Sequence, residues 1–190
     1  LVGGQLIAAD LVVAAIGVVP NTDLAQAAGL YIGNGIVVDE ALRTNDTNIF
    51  AAGDCASVNF SGLGLQRFET WQNAQLQGEI AGRNLAGASG VFQPPVWFWS
   101  DQYDLGLQGV GQTNGAATAL RRLSDDAEIL YYLNDARQLV GAAGLGVGNA
   151  VAKDIKLAQK LIEAKVAVAA ASLEDPTTNL KKLLKPAPAN

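Results

Sequence analysis

The chain has 190 residues, about half of them apolar, and a net charge of −5. This suits one domain or two small ones around a packed core, and the acidic balance excludes a nucleic-acid binder, which needs a surplus of lysine and arginine. Histidine is absent, removing the commonest general base and metal ligand, and a single cysteine, Cys55, excludes an internal disulfide and fits a reducing, cytoplasmic compartment.

Residue 1 is a leucine and the chain contains no methionine, so a piece of a longer polypeptide is expected. Residues 1–7 hold Gly3-Gly4 between apolar residues, a pattern that predicts a tight hairpin turn. Residues 11–19, LVVAAIGVV, are apolar and rich in β-branched side chains, which predicts a strand buried on both faces. The run is too short to span a bilayer, and no secretory signal precedes it. Pro20 and Asn21 end it. A short helix is expected over 22–29, capped by Thr22 or Asn21, with Gly29 just past its end. From Asn34 a turn leads into a short strand. Residues 44–48 then form a polar turn before a strand, 49–52, that runs to Gly53 and Asp54.

Residues 57–66 are glycine-containing and irregular, and predict a loop. A helix is expected over 70–85, with Thr70 as N-cap, Gly87 as the stop, and Trp71, Ala74, Ile80, Ala81 and Leu85 on its apolar face. Two adjacent prolines in SGVFQPPVWFWSDQ mark a domain boundary. Beyond them, LGLQGVG, ALRRLSD, EILYYLN and QLVGAAGLG predict successive antiparallel strands, turned at Asp125-Asp126 and Asn134-Asp135. An amphipathic helix over 151–164 keeps Lys153, Lys156 and Lys160 on its wet side. A last short helix spans 179–184, followed by a frayed tail, KPAPAN. Strands followed by helices imply an α+β module.

Four stretches, in order, carry a resemblance: DLVVAAIGVVPNTDLAQAAGL, GIVVDEALRTNDTNIFAAGDCA, RFETWQNAQLQGEIAGRNLAG and PPVWFWSDQYDLGLQGVG. Together they resemble the FAD-dependent ferredoxin reductases of oxygenase and P450 systems, the family of the putidaredoxin, rubredoxin and biphenyl-dioxygenase ferredoxin reductases. The resemblance implies a fold of class α/β plus α+β: the closing part of a Rossmann-like FAD/NAD(P) flavoprotein followed by a C-terminal α+β domain of the reductase dimerisation type. Residues 1–18 would be the tail of the NAD-binding domain, 19–92 the C-terminal segment of the FAD-binding domain, and 93–190 the C-terminal domain. Neither glycine-rich dinucleotide loop, G-x-G-x-x-G, is present, so the chain alone is not expected to bind FAD or NAD(P)H tightly or to turn over.

The implied activity takes electrons from NAD(P)H through FAD to a [2Fe–2S] ferredoxin or rubredoxin, with a homodimer among the assemblies open to the chain. Hydride transfer between stacked rings requires no acid–base residue, so no catalytic side chain and no metal site are expected. The resemblance places the cofactor-binding residues at Gly53, Asp54, Trp71, Gln72, Ala74 and Trp99. Asp54 would accept hydrogen bonds from the ribityl hydroxyls, and Gly53 would let the chain approach the ligand. The first turn of the helix at 70–85, with Trp71, Gln72 and Ala74, would direct its amides and dipole at the flavin's pyrimidine edge. Trp99, sharing a face with Trp97, would shield the ring.

Plainer readings stand beside these. Asp54 caps a local turn, Trp71 is core, and the tryptophans seal a domain interface. Arg67 with Glu69 is either an orienting pair or a solvated surface pair, the second being preferred; Cys55 is read as a small buried filler; and Arg83, Arg121 and Arg122 either help dock an acidic ferredoxin or, as preferred, are simply solvated. Two other classes also remain: a pyridine-nucleotide disulfide reductase or NADH oxidase relative, against which the missing histidine weighs, and a non-catalytic interaction module without cofactor.

Overall fold

The structure, a computed structural model, describes residues 2–4, 6–61, 64–93 and 95–184. The tail expected to fray, 185–190, lies outside them. Residues 2–4 make a single 3₁₀ turn with Gly3 and Gly4 at positive φ. Among the described residues no strand flanks that turn, so the expected hairpin is not formed.

The buried strand expected at 11–19 is not formed either. The segment has no regular structure, and Leu11, Val12, Val13, Ile16, Val18 and Val19 are all exposed. β-Branched composition favours a pleated surface only where neighbouring strands take up the amides and cover the side chains. Among the described residues no strand pairs with this segment.

The first folded unit opens with a short helix, α1 (Asp23–Ala27), which follows Thr22 and is closed by Gly29 at positive φ. Thr22 stands at the cap position without a side-chain bond. Strands β1 (Ile32–Gly33), β2 (Gly35–Val38), β3 (Ala56–Phe60) and β4 (Gly64–Gln66) form a four-stranded sheet in that order, with β2 and β3 parallel and the outer pairs antiparallel. Two expectations are corrected here. Residues 49–52 make only an isolated bridge, Arg43 to Phe50, and the strand lies after Asp54, where a loop was expected. Ala56, Ser57, Val58 and Phe60 are buried in β3, so burial beside β2 overrides the weak strand signal of ASVNF.

Helix α2 (Trp71–Leu85) starts where the sequence indicates, with Thr70 Oγ1 accepting the Asn73 amide at 3.2 Å. Its buried face is not the apolar one. Asn73, Gln77, Ala81 and Asn84 are buried, whereas Trp71 and Leu85 are exposed. Buried amides are stable when every polar atom is matched. Asn84 shows the pattern, donating to the carbonyls of Ala41 and Gly90 and accepting the Gly90 amide. The sheet, Ala81 and the ring of Phe92 close one core, with Val38, Leu42, Val58 and Phe60 at its centre.

The second unit is a five-stranded antiparallel sheet ordered β5 (Trp97–Gln102), β6 (Leu105–Gly111), β9 (Leu139–Val147), β8 (Ala127–Leu133), β7 (Ala117–Ser124). The strands and turns match the sequence-based expectation closely because the alternation is clean: in β8, Ala127, Ile129, Tyr131 and Leu133 are buried. Helix α3 (Ala152–Ala164) packs Ile155, Ala158 and Leu161 on that face and leaves Lys153, Lys156 and Lys160 exposed. Short helices α4 (Ala170–Glu174), unforeseen, and α5 (Leu180–Leu183) complete the unit. On the other face of the sheet the ring of Phe98 lies on Gly109, where a Cβ would collide with it. Among the described residues no helix is long and apolar enough to cross a membrane.

Candidate functional site

The site is organised by the first two turns of α2. The loop before β3 reverses at Gly53, whose φ of 81° favours glycine. Its α-carbon faces helix α2, where a Cβ would stand 3.5 Å from that of Ala74. The Gly53 amide donates to Gln77 Oε1 at 2.8 Å. Gln77 Nε2 in turn donates to Asn73 Oδ1 at 2.9 Å, and Asn73 Nδ2 to the Phe68 carbonyl at 2.9 Å. Two wholly buried amides therefore fasten the turn to the helix.

On the other side of the same turn, Arg67 Nη1 donates to the Asp54 carbonyl at 3.0 Å and to Glu69 Oε1, while Nε donates to Asn34 Oδ1 at 3.3 Å. The Arg67 side chain is only 10% exposed. The solvated surface pair preferred for Arg67 and Glu69 is thus corrected to a half-buried arginine whose guanidinium has three acceptors. The planar fork serves separately placed oxygens that one ammonium could not.

From the helix start a third link runs to the second unit: Gln72 Oε1 accepts the backbone N–H of Trp97 at 2.9 Å. Trp97 stacks on Trp99, ring centroids 4.7 Å apart and 20° from parallel. The two indoles share a face, as their alternation indicates. Trp97 is half-buried, and Trp99 leaves 44% of its surface open. Beside Trp97, a cavity of about 440 Å³ is lined by Gln72, Gln108, Asn149, Lys156 and Gln159.

Of the residues singled out in the sequence, Gly53, Ala74 and Gln72 thus lie on one connected support, and Trp99 joins it through Trp97. The Asp54 carboxylate is exposed beside them. Trp71 projects from the first turn with 68% of its surface open and is not core. Thr70 caps the Asn73 amide, and among the described residues no acceptor meets the amides of Trp71 and Gln72. No acidic residue occupies the first turn, so the helix end keeps its partial positive charge.

Sequence reasoning missed Asn73 and Gln77, and preferred the solvated reading of Arg67 over the orienting one. The signal was present: Asn73, Gln77 and Asn84 recur at helical spacing, a polar stripe as regular as an apolar one. Arg121 is also corrected. It is 4% exposed and donates to the carbonyls of Leu173, Asp175, Pro176 and Thr178, with Nε 3.7 Å from Asp154 Oδ2. Arg83 and Arg122 are exposed and pair with Glu79 and Glu128. Cys55 is half-buried, its thiol 3.6 Å from the Ala52 carbonyl.

Two family models match consecutive parts of the chain: pyridine nucleotide-disulphide oxidoreductase over residues 1–78 and reductase C-terminal over residues 97–184. Among the proteins similar to this chain is the anthranilate 1,2-dioxygenase system ferredoxin–NAD(+) reductase component of Burkholderia cepacia, 41% identical over 181 residues, which are 93% of this chain and 43% of that protein. Rhodocoxin reductase of Rhodococcus erythropolis is 49% identical over 127 residues, 66% of this chain and 30% of that protein. The covalent putidaredoxin reductase–putidaredoxin complex matches in structure with a TM-score of 0.80 and 34% identity, covering 93% of this chain and 42% of that one. The chain spans less than half the length of the curated relatives it matches. The fold is similar to that of the matched reductase structure, and the α+β unit coincides with the residues that match the reductase C-terminal model.

Proposed function

We propose that this chain is the C-terminal portion of a flavoprotein reductase that passes electrons from NAD(P)H through FAD to a [2Fe–2S] ferredoxin or rubredoxin of an oxygenase system. One observation carries the reading: the first two turns of α2 hold both the Gly53–Asp54 turn, through Gln77, and the Trp97–Trp99 pair, through Gln72. A positive helix end, an exposed carboxylate and an open indole are thereby supported by one element. The names of the relatives, a ferredoxin–NAD(+) reductase component and a putidaredoxin reductase in complex with its redoxin, support the same reading.

The donor set suits FAD. The Asp54 carboxylate offers acceptors to ribityl hydroxyls, and Gly53 keeps the turn free of a side chain. The open amides of Trp71 and Gln72 suit the pyrimidine edge, and Ala74 leaves room beside Gly53. Trp99 would cover an apolar ring face and exclude water. When bound, FAD supplies hydride acceptance and one-electron release; the protein binds, orients and shields. Residues 1–18 would be the tail of the NAD domain, 19–92 the end of the FAD domain and 93–190 the C-terminal domain. A cytoplasmic setting fits the lone cysteine, and a homodimer is an assembly open to the chain.

The test joins residues 1–190 to the remaining part of the Burkholderia cepacia relative and measures NADH-driven cytochrome c reduction. Reduction that depends on added [2Fe–2S] ferredoxin is expected. Flavin-loaded protein whose rate is indifferent to ferredoxin overturns the proposal.

A further inference from the structure

We infer that Arg67 and Gln77 are positioning residues that set where Asp54 presents its carboxylate, and thereby the hold on a hydroxyl-bearing chain such as the ribityl of FAD. The inference rests on the flavoprotein reading above. Asp54 lies between two peptide groups, and each is bound from outside the turn. The Gly53 N–H is taken by Gln77 at 2.8 Å, and the Asp54 carbonyl by Arg67 at 3.0 Å. Both holders belong to residues 67–77, the same stretch that contains the helix start.

The orientation of Gln77 is dictated, not chosen. The Phe68 carbonyl only accepts, so Asn73 must present Nδ2 to it and Oδ1 to Gln77. Gln77 must then present Nε2 to Asn73, which leaves Oε1 for the Gly53 amide. With Gln77 and Asn73 wholly buried, turning either amide round would strand polar atoms away from water. At the other end Arg67 is fixed by Asn34 and Glu69. Its stem lies close against Gly35, where a Cβ would fall 3.0 Å from Arg67 Cδ.

Glycine has the widest conformational range of any residue. A Gly-Asp turn held only by its own short bonds would let the carboxylate wander, and the cost of ordering it would fall on ligand binding. The two outside holds remove that cost in advance.

The experiment is a double-mutant cycle on residues 1–190 joined to the remaining part of the Burkholderia cepacia relative, titrated with FAD by quenching of flavin fluorescence. Gln77→Leu and Arg67→Met are made alone and in an Asp54→Ala background, with far-UV circular dichroism and thermal midpoints to verify the fold. Each single change is expected to weaken FAD binding by about tenfold and to add no further loss once the Asp54 carboxylate is gone. A residue that merely stabilises the fold would cost the same in both backgrounds; that result, or unchanged affinity in the single variants, overturns the inference and leaves the flavoprotein reading intact. A joined parent protein that takes up no FAD overturns that reading, and the inference with it. Should Gln77→Leu fail to fold, the Arg67→Met cycle decides alone.

Discussion

Gln72 Oε1 accepts the Trp97 amide at 2.9 Å, joining the first turn of α2 to the first strand of the second sheet across 25 positions of sequence. The bond is the point where a helix end and a stacked pair of indoles are placed in a common frame.

Replacing Gln72 by alanine leaves the Trp97 N–H without its acceptor in a half-buried setting. The expected outcome is a loss of about 1 kcal/mol in stability and an altered near-ultraviolet circular dichroism signal, since the stacked indoles dominate that band. An unchanged signal would show that Trp97 holds its place without the glutamine.

Gly53→Ala tests the turn itself. A Cβ fits, standing 3.5 Å from that of Ala74, but the φ of 81° does not suit it. The substitution is expected to destabilise the chain by about 1–2 kcal/mol through backbone strain alone. Urea unfolding measures it; a stability equal to the parent's would mean that the turn relaxes to negative φ at no cost.

Much of this architecture is legible in the sequence, and where it is not the reasons are physical. Strand β8 alternates cleanly because one face is packed in a core shared with α3, so period-two reasoning places it well. Residues 11–19 have the right composition for a strand, but among the described residues no strand pairs with them, and composition cannot supply one. The reversal at Gly53 is visible as Gly-Asp, yet what fastens it is a run of amides on α2. Apolar periodicity pointed to Trp71 and Leu85 as the inner face, when matched polar atoms had made Asn73, Gln77 and Asn84 the buried ones. Arg67 and Arg121 were read as surface charges because a lone arginine gives no sign of the carbonyls that will surround it.

Arg121→Lys tests such a case. One guanidinium serves four carbonyls of residues 173–178, a geometry an ammonium cannot reproduce. A loss of about 2–3 kcal/mol is expected on guanidinium chloride unfolding, with the segment after α4 becoming accessible to limited proteolysis. A variant as stable and as protease-resistant as the parent would count against the clamp.

Tyr131 supplies a pH-dependent term. Its hydroxyl is buried without a hydrogen-bond partner among the described residues. Burial, reinforced by the negative charge of Asp154 and opposed by Arg121, pushes the phenol well above its ordinary value. The folded state therefore holds the proton more tightly than the unfolded chain. That contribution is present below pH about 10 and is lost as pH rises through the folded-state value. Tyr131→Phe is expected to lie within about 1 kcal/mol of the parent at pH 7 and to lose less stability between pH 9 and 11. Parallel alkaline profiles for the two proteins would refute the assignment.

The uncovered segment 11–19 has a colloidal consequence. Nine consecutive residues without a charge, rich in valine and isoleucine, lie open to solvent with their amides unmatched by any strand of the described chain. Such a stretch is a template for cross-β association in the 190-residue chain taken by itself, and the net charge of −5 opposes it. Light scattering is expected to rise with added salt, as screening shortens the reach of that repulsion, and a lysine or aspartate placed at Val13 should suppress it.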